Sequence, residues 1–251
     1  MQNRPVVAIP PSYDLDERLE LESTVSYLNY LHDEGATSVM TTAGTSQFNL
    51  LDTNEIHALN TCISENFEGE AILGIPATSS VDATKFVETA QSYINDHTHL
   101  MALYPDRFYD QETIINYITS ICDSLGDSVY LHAPKMRSGY GGDWNYNADT
   151  INKMHDKGLV KGIKEEHSSL SGVGNLFPEI ENKFLIDSGS RQKCLDLETK
   201  FFNVSMKYGW HKSLRCALRC ELLTCFYDRQ PWPKGDEDFC NDIHTILKEL
   251  Q

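Results

Sequence analysis

Short apolar runs alternate with stretches of helical period along almost the whole chain, and this alternation restricts the fold more than any other feature. Val6–Ile9 reads as a first strand. Leu21, Val25, Leu28 and Leu31 then recur at helical spacing, and Gly35 stands where a helix-ending glycine belongs. Thr37–Thr41 is a second strand, and Asp52-Thr53-Asn54-Glu55 has the residues of a helix start that runs to about Phe67. Ala71–Ile75, Leu100–Tyr104 and Ser128–Ala133 are further strands. Helices opening at Ser80 and spanning Gln111–Leu125 separate them, the second with Ile114, Ile115, Ile118 and Ile121 on its inner face. An irregular glycine-rich loop, Arg137–Trp144, precedes a short helix, Asp149–Lys157, and a sixth strand, Val160–Lys164. The pattern continues with a helix over Val173–Glu181, a strand over Phe184–Asp187, a helix over Arg191–Lys200 and an eighth strand over Phe201–Ser205.

Strand and helix in strict alternation predict an α/β fold with a parallel sheet, and eight strands predict a (β/α)8 TIM barrel over residues 1–210. Residues 211–251 form a short C-terminal helical extension, with helices near Ser213–Phe226 and Asp236–Leu250. Pro231-Trp232-Pro233 separates them, because proline blocks helix continuation. A chain of 251 residues suits this size. Its formal charge of −16 disfavours nucleic acid or an anionic membrane as partner, since phosphates would be repelled. An anionic small substrate stays open, because a pocket needs only a few local donors. No apolar run reaches the roughly 18 residues of a membrane span, and Met1–Pro10 lacks the apolar core of a signal peptide. Seven cysteines with no paired C-x-x-C knuckles suggest reduced thiols in a cytoplasmic protein. Cys216 and Cys220, four apart on a predicted helix, read as one buried face rather than a metal site.

A barrel of this type carries its site at the C-terminal ends of the strands. After the second strand comes Thr41-Thr42-Ala43-Gly44-Thr45-Ser46, a turn of hydroxyls and backbone N–H groups suited to a carboxylate, or simply a capped turn. After the fifth comes Leu131-His132-Ala133-Pro134 and then Arg137, whose planar fork could clamp an anion or sit in solvent. The sixth strand ends on Lys164. An amine in a dry pocket is the more readily found in its neutral form, which attacks ketones; the plainer alternative is a surface lysine. After the seventh comes Ser188-Gly189-Ser190, where a missing side chain lets a ligand approach backbone.

Together these stretches resemble the N-acetylneuraminate lyase / dihydrodipicolinate synthase family of class I Schiff-base aldolases. The resemblance rests on Pro10 with Asp14-Leu15-Asp16, Thr42-x-Gly44-x-Ser46, Pro134 with Arg137-Ser138-Gly139, Gly162-Ile163-Lys164-Glu165, and Ser188-Gly189. It implies that Lys164 forms an imine with pyruvate or a related 2-keto acid in an aldolase, lyase or synthase reaction. It implies a keto-acid carboxylate held by Thr42 and the N–H groups of Ala43 and Gly44, with Gly189 lining the same pocket; Arg137 is a further candidate for binding the substrate. No cofactor or metal is implied, the substrate is a small 2-keto acid or sugar acid, and the assembly is a homo-oligomer, dimer or tetramer.

The chain departs from the family at Ala43, which replaces a threonine, at Thr45, which replaces a glutamate, and at Leu131, which aligns with the strand-five tyrosine. Tyr130, His132 and Tyr109 are therefore the candidate proton relay. A second reading is a diverged family member that binds a keto acid or sugar acid without turnover, or acts as a scaffold. A third is a metal-dependent barrel using His132, His155 and His167.

Overall fold

The computed structural model describes residues 6–103, 110–133, 136–137, 143–144, 146–165, 203–222, 226–231 and 237–250. Six parallel strands form one sheet: β1 (Val7–Ala8), β2 (Ser38–Met40), β3 (Glu70–Ile75), β4 (Thr98–Ala102), β5 (Val129–Ala133) and, after two short strands outside this sheet, β8 (Val160–Glu165). They lie side by side in chain order. Between β5 and β8 the chain forms β6 (Met136–Arg137) and β7 (Asp143–Trp144), an antiparallel pair. The stretch expected as an irregular loop is thus hairpin-like at its ends: its glycines hide the short strands from a periodicity reading.

The connecting helices are α1 (Leu21–Asp33), α2 (Thr53–Asn66), α3 (Ser80–Ala90), α4 (Gln111–Leu125) and α5 (Ala148–Asp156). Their starts follow from side chains that satisfy otherwise unpaired first-turn amides. Asp52 and Glu55 make a reciprocal capping box on α2, with Oδ1 of Asp52 accepting from the Glu55 amide at 2.9 Å. At the starts of α3, α4 and α5 the side chains of Ser79, Asp110 and Asn147 each accept from one first-turn amide, those of Asp82, Thr113 and Thr150. Gly126 ends α4 at φ 74°, a conformation costly to any residue with a Cβ.

Strand alternation divides the sheet into two faces. Val39, Leu73, Ile75, Leu100, Leu131 and Ile163 face the helices and share one core with Leu28 of α1, Leu59 and Ile63 of α2, Val87 of α3, Ile118 of α4 and Ile151 of α5. Each such side chain contributes about 1.5–3 kcal/mol by leaving water. The opposite face carries Met40, Glu70, Ile72, Gly74, His99, Met101, Tyr130, His132 and Lys164.

Residues 203–208 are helical, so the second half of the strand expected over Phe201–Ser205 is not a strand. A short apolar run fits either element, and tertiary packing decides. Here Val204 and Tyr208, four apart as on one helix face, pack against Cys216, Phe239 and Ile243. The expected helix Val173–Glu181, strand Phe184–Asp187 and helix Arg191–Lys200 lie outside the described residues.

The extension contains helices Trp210–Leu222 and Glu237–Leu250. The first begins three residues before the expected Ser213 and stops short of Phe226, which instead bridges to Tyr13 and is fully buried. Arg215 fastens this helix to the strand ends. It is 1% exposed, donates to the carbonyl of Pro11 at 2.7 Å and to Oε1 of Gln47 at 3.2 Å, and pairs with Asp228 at 3.3 Å. Arg229 makes a second tie, a two-pronged pair with Glu55 at 2.6 and 2.7 Å.

Candidate active site

Lys164 reaches the inner face only because β8 carries one extra residue. Val129 pairs with Val160 and Leu131 with Ile163, and all four side chains lie in the helix-side core. On β5 those residues are two apart; on β8 they are three apart, and a regular strand turns residues three apart to opposite faces. The register shifts between Val129 and Tyr130, so Lys161 and Gly162 together span a single step of β5. This one-residue bulge resets the parity of everything after it. Without it Lys164, four residues past Val160, would point among the helices.

The bulge is held from both sides. Lys161 donates to Oδ2 of Asp127 at 2.8 Å, and its Nζ lies 3.3 Å from Nδ1 of His99. Nε2 of His99 is 3.4 Å from Oε1 of Glu70, an arrangement that suits the tautomer protonated at Nε2. The Tyr130 hydroxyl donates to the same Glu70 oxygen at 3.4 Å. The His99 hydrogen bond holds the Glu70 carboxyl below its usual range, and burial, reinforced by Glu70, pushes the Tyr130 phenol up to about 12. The Tyr130 ring lies over Gly162: a Cβ there would sit 2.5 Å from Cε1 of the ring. Tyr130 therefore faces inward, but its hydroxyl points toward the N-terminal ends of the strands.

His132 is the inward residue one step nearer the C-terminal ends, and it pairs in register with Lys164. It is 1% exposed, and its Nε2 lies 3.1 Å from Nζ of Lys164. Lys164 is half-buried. Either nitrogen can donate to the other, so the contact is a ready path for a proton. Leu131 lies in the helix-side core, so nothing from that position enters the inner face.

At the end of β2 the chain turns sharply. The Thr42 amide donates to Oγ of Ser46 at 2.9 Å, and Ser46 in turn donates to the carbonyl of Ile9 at 2.5 Å. Oγ1 of the buried Thr42 accepts from the Thr45 amide at 3.2 Å and keeps its proton for another acceptor. Among the described residues, the amides of Ala43 and Gly44 donate to nothing. Gly44 faces His211 of the extension, whose Cε1 would lie 3.9 Å from a Cβ at that position. Adjacent amides without acceptors are what an anion-binding turn requires.

Of the residues singled out from sequence, Lys164 and His132 meet, Tyr130 lies one layer away, and Thr42, Ala43 and Gly44 form the turn. Arg137 lies in β6, paired with Asp143. Tyr109 and Gly189 lie outside the described residues, as does His167. Among the described residues no three His, Cys, Asp or Glu side chains are grouped to hold a metal, and no helix is long and apolar enough to cross a membrane. Sequence reasoning missed the Glu70–His99–Lys161–Asp127 network. The available signal was a lysine, Lys161, inside an otherwise apolar strand. It also missed Arg215, which a helical tail does not advertise.

The fold is shared with several solved aldolases and lyases. A sialic acid aldolase of Ruminococcus gnavus, solved as a catalytic lysine mutant, superposes with a TM-score of 0.83 at 9% identity, over 98% of this chain and 95% of that one. A variant of the 2-keto-3-deoxygluconate aldolase of Sulfolobus solfataricus, solved with pyruvate, gives 0.79 at 12% identity, over 98% and 96%. The N-acetylneuraminate lyase of Mycoplasma synoviae gives 0.78 at 15% identity, over 98% and 96%. No family model matches the chain, and no curated protein sequence matches it. The fold is thus the α/β fold of these aldolases.

Proposed function

We propose that the protein is a Schiff-base aldolase, lyase or synthase acting on pyruvate or a related 2-keto acid. One observation carries this reading: an inward-facing lysine amine, 3.1 Å from a buried histidine, at the C-terminal end of a parallel strand. Imine formation needs a neutral amine, an electrophilic ketone and a group that delivers a proton to the departing water. Lys164 supplies the amine. His132 accepts its proton and returns it to the carbinolamine oxygen as water leaves, the part a tyrosine would otherwise fill. The Thr42 hydroxyl and the Ala43 and Gly44 amides hold the carboxylate, with Arg137 and Gly189 completing the pocket. The pyruvate complex of the Sulfolobus aldolase supports the choice of ligand.

The same reading completes the sheet to an eight-stranded barrel over residues 1–210, with 211–251 as an extension. It puts the enzyme in the cytoplasm as a dimer or tetramer. The test is reduction with borohydride in the presence of pyruvate and of several larger 2-keto acids, followed by peptide mapping. An adduct on Lys164 is expected. Its absence with every keto acid ends the proposal.

A second reading, binding without turnover, draws on Leu131 in the helix-side core and the Tyr130 hydroxyl held by Glu70. An adduct on Lys164 without carbon–carbon cleavage or condensation would favour it.

A further inference from the structure

We propose that Cys216 and Cys240 form a reversible disulfide, an oxidation site that staples the two helices of the extension together. Cys216 lies in the Trp210–Leu222 helix and Cys240 in the Glu237–Leu250 helix. Their sulfurs are 3.4 Å apart across the helix contact, beside Phe239 and Ile243. A disulfide needs a separation of about 2.05 Å, so the sulfurs must close by a little over 1 Å, within the reach of side-chain rotation.

The two thiols are not equivalent. Cys216 is buried, and burial, with Cys240 next, pushes its thiol up to about 12. Cys240 is only partly buried, and Nη2 of Arg219 lies 3.9 Å from its sulfur. Cys240 is the sulfur that a small oxidant reaches, so it reacts first. With a peroxide as oxidant, the Cys240 thiolate displaces hydroxide from the O–O bond and becomes a sulfenic acid, and the hydroxide leaves as water. The Cys216 sulfur then attacks the sulfenic sulfur, loses its proton and expels a second water. Two thiols and one hydrogen peroxide give one disulfide and two waters.

Cys216 directly follows Arg215, whose guanidinium grips Pro11 and Gln47 at the strand ends. The staple thus stiffens the helix that braces the carboxylate-binding turn through His211 and Gly44.

The full chain, reduced and then treated with hydrogen peroxide, is alkylated and digested for mass mapping. A linked Cys216–Cys240 pair two hydrogens lighter than its parts is expected, reversed by dithiothreitol. Oxidation should raise the melting temperature by several degrees, as loop closure restricts the unfolded chain. In Cys240→Ser both effects should vanish with Cys216 left unmodified. In Cys216→Ser a sulfenic acid trapped by dimedone should appear on Cys240. Should the buried Cys216→Ser variant fail to fold, the partly buried Cys240→Ser variant still decides. Linkage of Cys240 to any other cysteine, or full retention of both free thiols while other cysteines oxidise, overturns the proposal.

Discussion

Gly162→Ala should both destabilise the protein and misplace Lys164. The new Cβ would meet Cε1 of Tyr130 at 2.5 Å and Cδ1 at 2.7 Å. Carbon atoms rest at about 3.5–4.0 Å, so the ring must retreat by roughly 1 Å. It has little freedom to do so, because its hydroxyl is bonded to Glu70 and its face is tilted on His99 at a centroid distance of 5.8 Å. Overpacking of this kind costs about 1–3 kcal/mol. Because Gly162 belongs to the bulge that aims Lys164, a displacement of ~1 Å should also slow imine formation by about 10²-fold. Urea denaturation measures the first effect, and the rate of borohydride trapping with pyruvate measures the second. Tyr130→Ala in the Gly162→Ala background removes the ring and should recover most of the stability lost to the clash. A Gly162→Ala protein as stable as wild type, or a double variant showing no coupling, would refute the account of how β8 is held.

Replacing His132 by alanine should slow trapping on Lys164 by about 10²–10⁴-fold, the usual contribution of a proton relay, while circular dichroism stays native. Arg215→Met leaves Asp228 buried without its cation and should cost about 3–5 kcal/mol in urea denaturation; Arg215→Met with Asp228→Leu should cost less, since no charge is then stranded. The Arg229 hydrogen bond holds the Glu55 carboxyl below its ordinary value. The stability of this tie is present above the unfolded carboxylate pKa of about 4.3 and fades as pH falls through the folded value. Melting temperature should therefore drop less steeply below about pH 4.3 in Glu55→Gln than in wild type.

Much of the scaffold is local chemistry and was legible in order along the chain. The Asp52–Glu55 box, the four-residue pattern of isoleucines in α4 and Gly126 at its end each act through neighbours a few residues away. The helix at 203–208 was read as strand because Val204 and Tyr208 find their partners on helices more than thirty residues later, at Phe239 and Ile243. The candidate site divides the same way. Lys164, His132 and the Thr42–Ser46 turn could be named from the residues and their order.

Which way those side chains point could not. Counting alternately from Val160 sends Lys164 toward the helices, whereas pairing β8 with β5 inserts an extra residue at Lys161 and sends it inward. The sequence alone located the six parallel strands of the sheet to within a residue or two, because capping and periodicity act within a few residues. Only the tertiary structure decided the face that the amine occupies, because that depends on one unpaired residue held by Asp127 and His99 from distant parts of the chain.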